Sequence, residues 1–301
     1  MSKISLLLPT RGRPHLVQRF FQSLIAQTAN LKDVEVVLYV DEDDLQSHHL
    51  NCDGVSLVRI IGPRLSMGAY NQTCLDRSSG EIVILMNDDV VIRTPDWDQI
   101  VVDVVRKIPD QIYLAYPTDL YWGNMLCTFP ILPRRVCEIM ARPFPDEYQS
   151  WHIDRHILDI FKRLKHMDQD RIFYLHHVVF EHLHFDYGKA ALDLTYQSKL
   201  RSKVRYGDDW AFVALRDLRQ VTAERLHATI LGKALPELPQ KSELPPRPKS
   251  LFQALRRHTS VFLFDFALPI RERLRLFTWM TARSLRWRGY LPAKYTSLIK
   301  G

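Results

Sequence analysis

Three short apolar runs, each stopped by a polar cluster at its carboxyl end, constrain this chain more than any other feature. ISLLL (4–8) gives way to PTRGRP, VEVVLYV (34–40) to DEDD, and IVILM (82–86) to NDD. Such runs, rich in β-branched residues and lacking a polar face, read as strands buried on both sides. VSLVRII (55–61) reads as a further strand. Between them, PHLVQRFFQSLIAQ (14–27) spaces Leu16, Phe20 and Leu24 at helical intervals, with Pro14 tolerated in the first turn. SMGAYNQTCLDRSSG (66–80) predicts a second helix, closed by Gly80 as its C-terminal cap. This alternation predicts an α/β fold with a mostly parallel sheet flanked by helices. In open sheets of this kind ligands bind outside the carboxyl ends of the strands. The three polar clusters are therefore expected to meet along one edge.

The third cluster poses a physical problem, because ILMNDDVVI (84–92) turns apolar again directly after Asp88 and Asp89. Adjacent carboxylates repel each other, so the fold must supply water or a cation. Mg2+ or Mn2+ takes oxygen ligands and borrows several from a substrate's phosphates. In an extended segment Asp88 and Asp89 point opposite ways, which leaves one of them as a direct ligand. The competing reading is a solvated turn, since Asn and Asp are good turn residues. Downstream, FYLHHVVFEHLHFDYG carries His176, His177, His182 and His184, and an imidazole can complete a site begun by carboxylates. On an extended segment His182 and His184 alternate with their neighbours, and His182 is the preferred ligand with His184 its alternative; His176 and His177 read as structural. In YQSWHIDRHILDIF, Asp154 opens an amphipathic helix, a position that suits either an N-cap or a general base.

These pieces in this order resemble the inverting GT-A glycosyltransferases of the family 2 type, over roughly residues 3–210. ISLLLPTRGRP is similar to that family's opening strand and nucleotide loop, VVLYVDEDD to its second strand with a base-reading acid, and SMGAYNQTCLDRSSGEIVILMNDDV to its Gly, Asn, Gly-Glu and D-x-D succession. WHIDRHI falls where the family carries its catalytic Asp, and FEHLHFDYGKAALDLTY is similar to its terminal His segment. The resemblance implies a Rossmann-like GT-A domain that moves a sugar from a nucleotide-sugar donor to a glycan or lipid-linked acceptor hydroxyl with inversion. It implies Asp154 as base, and Pro9, Thr10, Arg11, Asp41, Asn71, Asn87 and Asp88 as nucleotide contacts. It places Mn2+ or Mg2+ on Asp89 with His182 or His184. Gly68 and Asn71 are expected to shape the backbone near the nucleotide. Asn87 departs from the pattern, standing where the motif has its first Asp, which puts the metal mainly on Asp89. Trp122 and Trp151 are candidates either for burial or for stacking on a sugar face.

Charge divides the chain. From Arg247 onward there are twelve Lys and Arg against two acids, leaving 29 basic and 32 acidic residues in the first 246. GKALPELPQKSELPPRPKS (232–250) has five prolines and reads as an extended tether. The expected organisation is a catalytic domain at 1–231, a proline-rich linker at 232–250 and a basic, helical C-terminal extension at 251–301. Across IRERLRLFTWMTARSLRWRG, Ile270, Leu274, Phe277 and Leu285 share one helical face, with Arg271, Arg275, Arg283 and Arg286 on another. That pattern suits a helix lying on an anionic membrane surface, or one docked on the catalytic domain. A membrane-facing transferase would act in bacterial cell-surface polysaccharide synthesis.

Four cysteines without a C-x-x-C pair, no leader-like segment and no long apolar run lead to the expectation of a cytoplasmic protein, peripheral on the inner face of the plasma membrane. Two other functions need different chemistry. A nucleotidyltransferase of similar architecture would want a glycine-rich phosphate loop, where PTRGRP has one glycine. A nucleic-acid-binding protein would use the basic tail; no nucleic-acid partner is expected.

Overall fold

The computed structural model describes residues 3–185, 188–190, 193, 197 and 202–291. The apolar runs form strands β1 (Ile4–Thr10), β2 (Val34–Asp41), β3 (Ser56–Gly62) and β4 (Ile82–Leu85), parallel and in the spatial order β3-β2-β1-β4. Further strands are β5 (Val90–Ile92), β6 (Leu114–Thr118), β7 (Ile131–Pro133) and β8 (Ile172–His182). They extend the sheet from β4 as β7-β6-β8-β5. β7 runs antiparallel to β4 and β6, β8 parallel to β6, and β5 antiparallel to β8.

The unbroken apolar character of β1 follows from cover on both faces. Leu6 and Leu8 pack with Phe20 and Leu24 of α1 (Pro14–Gln27) and Trp97 of α3 (Trp97–Arg106). Leu7 belongs to the opposite core, with Cys74 of α2 (Met67–Arg77), Val136 of α4 (Arg134–Met140) and Ile157 of α5 (Ile153–His166). That second core continues through α6 (Ser202–Ala214) and α7 (Arg216–Ile230). Gly80 does not cap α2, which ends at Ser78 in an extended conformation. A Cβ on Gly80 would lie 2.5 Å from Ser5 Oγ and 2.7 Å from Ser5 N, so glycine is required there by the close approach of β1.

Of the C-terminal helices, α8 (Leu251–His258) packs against α9 (Ile270–Trp287), and α9 packs on this second core. The face expected to be apolar is covered only in part: Phe277 packs partly buried against this core, Ile270 and Leu274 are about half exposed, and the buried apolar residues are Leu276, Trp279, Met280 and Ala282. The sequence face misled because Leu276 and Trp279 are flanked by Arg275 and Thr278, which blur the apolar stripe. The proline-rich segment lies extended against the domain, with Trp210 Nε1 donating to the Pro245 carbonyl at 2.7 Å and Arg225 Nη1 to that of Pro236 at 2.6 Å.

A buried ionic cluster fastens the extension. Arg163 of α5 donates to Asp159 at 2.7 Å and to Asp265 at 2.6 Å, Arg219 of α7 donates to Asp159 at 2.7 Å, and Arg216 also binds Asp265. Removing one partner of a buried pair leaves an uncompensated charge and costs about 3–5 kcal/mol. Asp265→Ala is therefore expected to lower the unfolding free energy by about that amount in urea titration. Leu274→Ser, on the exposed side of α9, should change it by about 0.5 kcal/mol or less.

Candidate active site

The chain leaves β4 at Leu85 and pairs again only after Asp89, on the far edge of the sheet. Val90 pairs with His182, and Leu183 N donates to the Asp89 carbonyl at 2.9 Å. This crossing carries Asn87, Asp88 and Asp89 past the carboxyl ends of β1 and β8, and it resolves the repulsion between the two acids by sending them to different neighbours. Asp88 accepts from Thr10 Oγ1 at 2.8 Å and from Arg13 Nη1 at 3.2 Å. Asp89 Oδ1 faces His182 Nε2 at 3.1 Å. Asp88, Asp89 and His182 are all buried.

The second strand-end cluster meets the first. Arg11 donates to Asp43 at 2.5 Å and also binds Asp41. Asp41 is fully buried and takes a further hydrogen bond from the Tyr70 hydroxyl. Pro9 and Thr10 end β1 beside this pair. Asn71 is buried on α2, where its amide donates to the Met67 carbonyl at 2.9 Å, so its polar group serves its own helix. Gly68 lies against the segment leading to α5. A Cβ there would sit 1.9 Å from the Pro145 carbonyl oxygen.

Asp154 stands in the first turn of α5, half-buried, with Oδ1 accepting from Arg155 N at 2.8 Å. Burial raises its carboxyl above the ordinary range, Arg155 and His182 oppose this, and Asp119 reinforces it. Burial alone would lower the His182 imidazole, but Asp89, Asp119 and Asp154 together hold it above its ordinary value. The four groups are thus close enough for their charges to act on one another. His184 is buried next in line, its ring 5.2 Å from that of His182 and 6.1 Å from Trp151. His176 and His177 are exposed in an irregularity of β8, where pairing with β6 shifts after Leu175, so they are not core residues. Trp122 and Trp151 each receive a guanidinium, Arg155 and Arg205 respectively, both at 5.1 Å from the ring centroid.

Three acids that the sequence reading passed over shape the site. Asp119, at the end of β6, accepts from Tyr121 N, Trp122 N and Thr128 Oγ1 at 2.9, 2.8 and 2.7 Å, fixing the loop beside His182. Its signal was another apolar run, YLAYP, that ends in a polar pair, TD. Asp208 accepts the backbone N–H groups of Gln149, Ser150 and Trp151 at 2.7, 2.9 and 2.8 Å. Burial still pushes its carboxyl up to about 6. Asp209 Oδ1 lies 2.7 Å from His152 Nε2. Nothing local in YGDDW announces either role, because both depend on which segment packs against α6.

No protein-family model and no curated protein matches this chain. Among solved structures, S. aureus TarS matches with a TM-score of 0.53 and 14% identity over 96% of this chain and 54% of that one. The chain thus spans about half the length of TarS. TarS 1–349 in complex with UDP-GlcNAc matches with a TM-score of 0.52 and 15% identity, over 96% of this chain and 89% of that one. A mannosyltransferase from Pyrobaculum calidifontis, solved with GDP-Man and Mn2+, gives 0.48 and 13% over 99% and 78%. The fold is GT-A. On this GT-A sheet the polar ends of β1, β2 and β4 and the end of β8 occupy one edge, the place where an open α/β sheet binds ligands.

The donor set suits a divalent ion. Among the described residues no three His, Cys, Asp or Glu side chains gather closely enough to enclose a metal. A carboxylate and an imidazole 3.1 Å apart, Asp89 and His182, instead fit an ion that takes its remaining oxygens from a diphosphate or water.

Proposed function

We propose that the protein transfers a glycosyl group from a nucleotide-sugar donor to a hydroxyl of a glycan or lipid-linked acceptor, with inversion at the anomeric carbon. The observation that carries this reading is the convergence of Asp88, Asp89, His182 and Asp154 at the binding edge of a GT-A sheet. Thr10, Arg11 and Arg13 bring N–H and O–H donors to the same edge, as a diphosphate requires. Asp41 would read the base or ribose once the nucleotide displaces Arg11 from it, and Pro9, Asn71 and Asn87 would border the nucleotide.

Asp154 is assigned as general base. It would take the proton of the acceptor hydroxyl as that oxygen bonds to the anomeric carbon and the bond to the diphosphate breaks, releasing the nucleoside diphosphate. Its burial makes the carboxylate a stronger base than an exposed aspartate. Asp89 and His182 would hold Mn2+ or Mg2+, which when bound offsets the charge on the departing diphosphate. His182 is favoured over His184 because its Nε2 faces Asp89.

The acceptor class and a place in cell-surface polysaccharide synthesis rest on the outer surface of the C-terminal extension. Among the described residues no helix is long and apolar enough to cross a membrane. Phe264, Phe266, Ile270 and Leu274 are exposed around Arg273, whose guanidinium lies 4.8 Å over the Phe266 ring. The two acids of the extension turn inward, Asp265 to Arg163 and Arg216 and Glu272 to Lys162 and Arg275. Among the described residues the outer face of the extension therefore presents apolar rings and arginines, with both of its carboxylates turned away from an anionic lipid surface.

Two experiments test this reading. Thermal-shift screening against UDP-, GDP-, CMP- and dTDP-sugars with Mn2+ should find a stabilising donor, by about 2.7 kcal/mol at a hundredfold excess over its dissociation constant. Asp89→Ala should remove the metal-dependent part of that shift. Asp154→Asn should keep it and lower turnover about 100-fold or more. Equal loss of donor affinity in both variants would overturn the assignment of Asp154. For the outer face, the full chain should sediment with vesicles containing phosphatidylglycerol, less so at high salt, and not with pure phosphatidylcholine. Ile270→Ser with Leu274→Ser should weaken sedimentation without lowering the melting temperature, and unchanged sedimentation would refute the lipid surface.

A further inference from the structure

The first turn of α5, which carries Asp154, is held by the C-terminal helix. His152, the residue preceding α5, adopts a left-handed backbone at φ 76° and is buried. A non-glycine residue keeps that conformation only where its surroundings fix it. Its Nε2 lies 2.7 Å from Asp209 Oδ1, and its ring packs edge-on against Trp279 of α9 with centroids 5.4 Å apart. Asp209 is in turn held from α9, by Arg283 Nε at 2.7 Å and by Trp287 Nε1 at 3.2 Å. One residue past Asp154, the Arg155 guanidinium lies 4.5 Å from the Trp279 ring and 5.1 Å from that of Trp122.

Each flank of Asp154 is therefore tied to α9, a helix more than a hundred residues away in sequence. Asp208 secures the preceding turn from α6 by its three backbone hydrogen bonds. Gly68 and Met67 secure it from α2, through Gly68 N to the Tyr148 carbonyl at 3.1 Å and Met67 N to that of Gln149 at 3.2 Å. The contacts from α9 are made by side chains, and they reach both sides of the acid.

We propose that the inward face of α9 is a positioning device for the base: Trp279 and the Arg283–Asp209–His152 relay set the orientation of the α5 first turn and so of Asp154. The proposal rests on the assignment of Asp154 as general base. A misplacement of about 1 Å in a reacting group costs on the order of 100-fold in rate. Arg283, Asp209 and Trp279 thus act on turnover without touching the donor.

Hydrogen–deuterium exchange on the full-length chain tests the clamp without an assay of activity. Arg283→Ala and Trp279→Phe should raise amide exchange across 149–157 and leave β1 and β4 protected, while Arg283→Lys, which still donates to Asp209, should restore the native pattern. Turnover is then read as nucleoside diphosphate release from whichever of the UDP-, GDP-, CMP- or dTDP-sugars stabilises the protein. Arg283→Ala should lower kcat about tenfold to 100-fold with the donor KM unchanged, and should add nothing further in an Asp154→Asn background. Unchanged exchange across 149–157 in both Arg283→Ala and Trp279→Phe would overturn the proposal, as would unchanged kcat with altered exchange. Full turnover in Asp154→Asn itself would instead remove the base assignment while the exchange result still decided the clamp.

Discussion

Two adjacent carboxylates in a buried segment cannot both be ionised without partners, and the structure is arranged around that constraint at Asp88 and Asp89. The crossing from β4 to β5 turns them apart, one to Thr10 and Arg13 and the other to His182. To do so the sheet places β5 at its far edge beside β8 and pairs Val90 with His182. The order β3-β2-β1-β4-β7-β6-β8-β5 supplies that geometry, with short β7 as the antiparallel spacer between β4 and β6. The local arrangement of the site thus answers one electrostatic requirement, met by hydrogen-bond donors on one side and an imidazole on the other.

The site continues outward from this pair in layers of decreasing locality. Asp89 and His182 are joined by strand pairing, whereas Asp154 arrives on α5 and depends on what packs against its first turn. Asp119 belongs to the inner layer, since its carboxylate shapes the loop beside His182 and its charge acts on both His182 and Asp154. The C-terminal helices form the outer layer, with one face on the domain and the other turned to solvent. Docking on the domain and facing a lipid surface, which the sequence presents as alternatives, use different faces of α9 and are compatible.

What was legible in the sequence was what backbone periodicity and strand ends encode. Unbroken runs such as ISLLL mark strands covered on both sides, and polar residues that follow them mark the binding edge. The buried stripe of α9 was not legible because Leu276 and Trp279 each follow a charged or polar residue, and partner helices decide which stripe is covered. Gly80 read as a helix cap because its neighbours are serines, yet its need for glycine comes from the backbone of β1, 75 residues away. Asp208 and Asp209 carried no signal at all, since holding a turn or an imidazole from another element is a purely tertiary role. The order of the pieces resembles that of GT-A transferases, whereas the partners of each residue are set by tertiary packing.

We propose that donor diphosphate and metal meet at the turn of Asp88 and Asp89, facing His182. Crystals grown with Mn2+ and UDP test it most directly, through the anomalous signal of manganese. The account predicts a single strong peak bonded to Asp89 and His182, with diphosphate oxygens completing the coordination. A manganese peak elsewhere on the chain, or UDP bound away from the ends of β1 and β4, would contradict it.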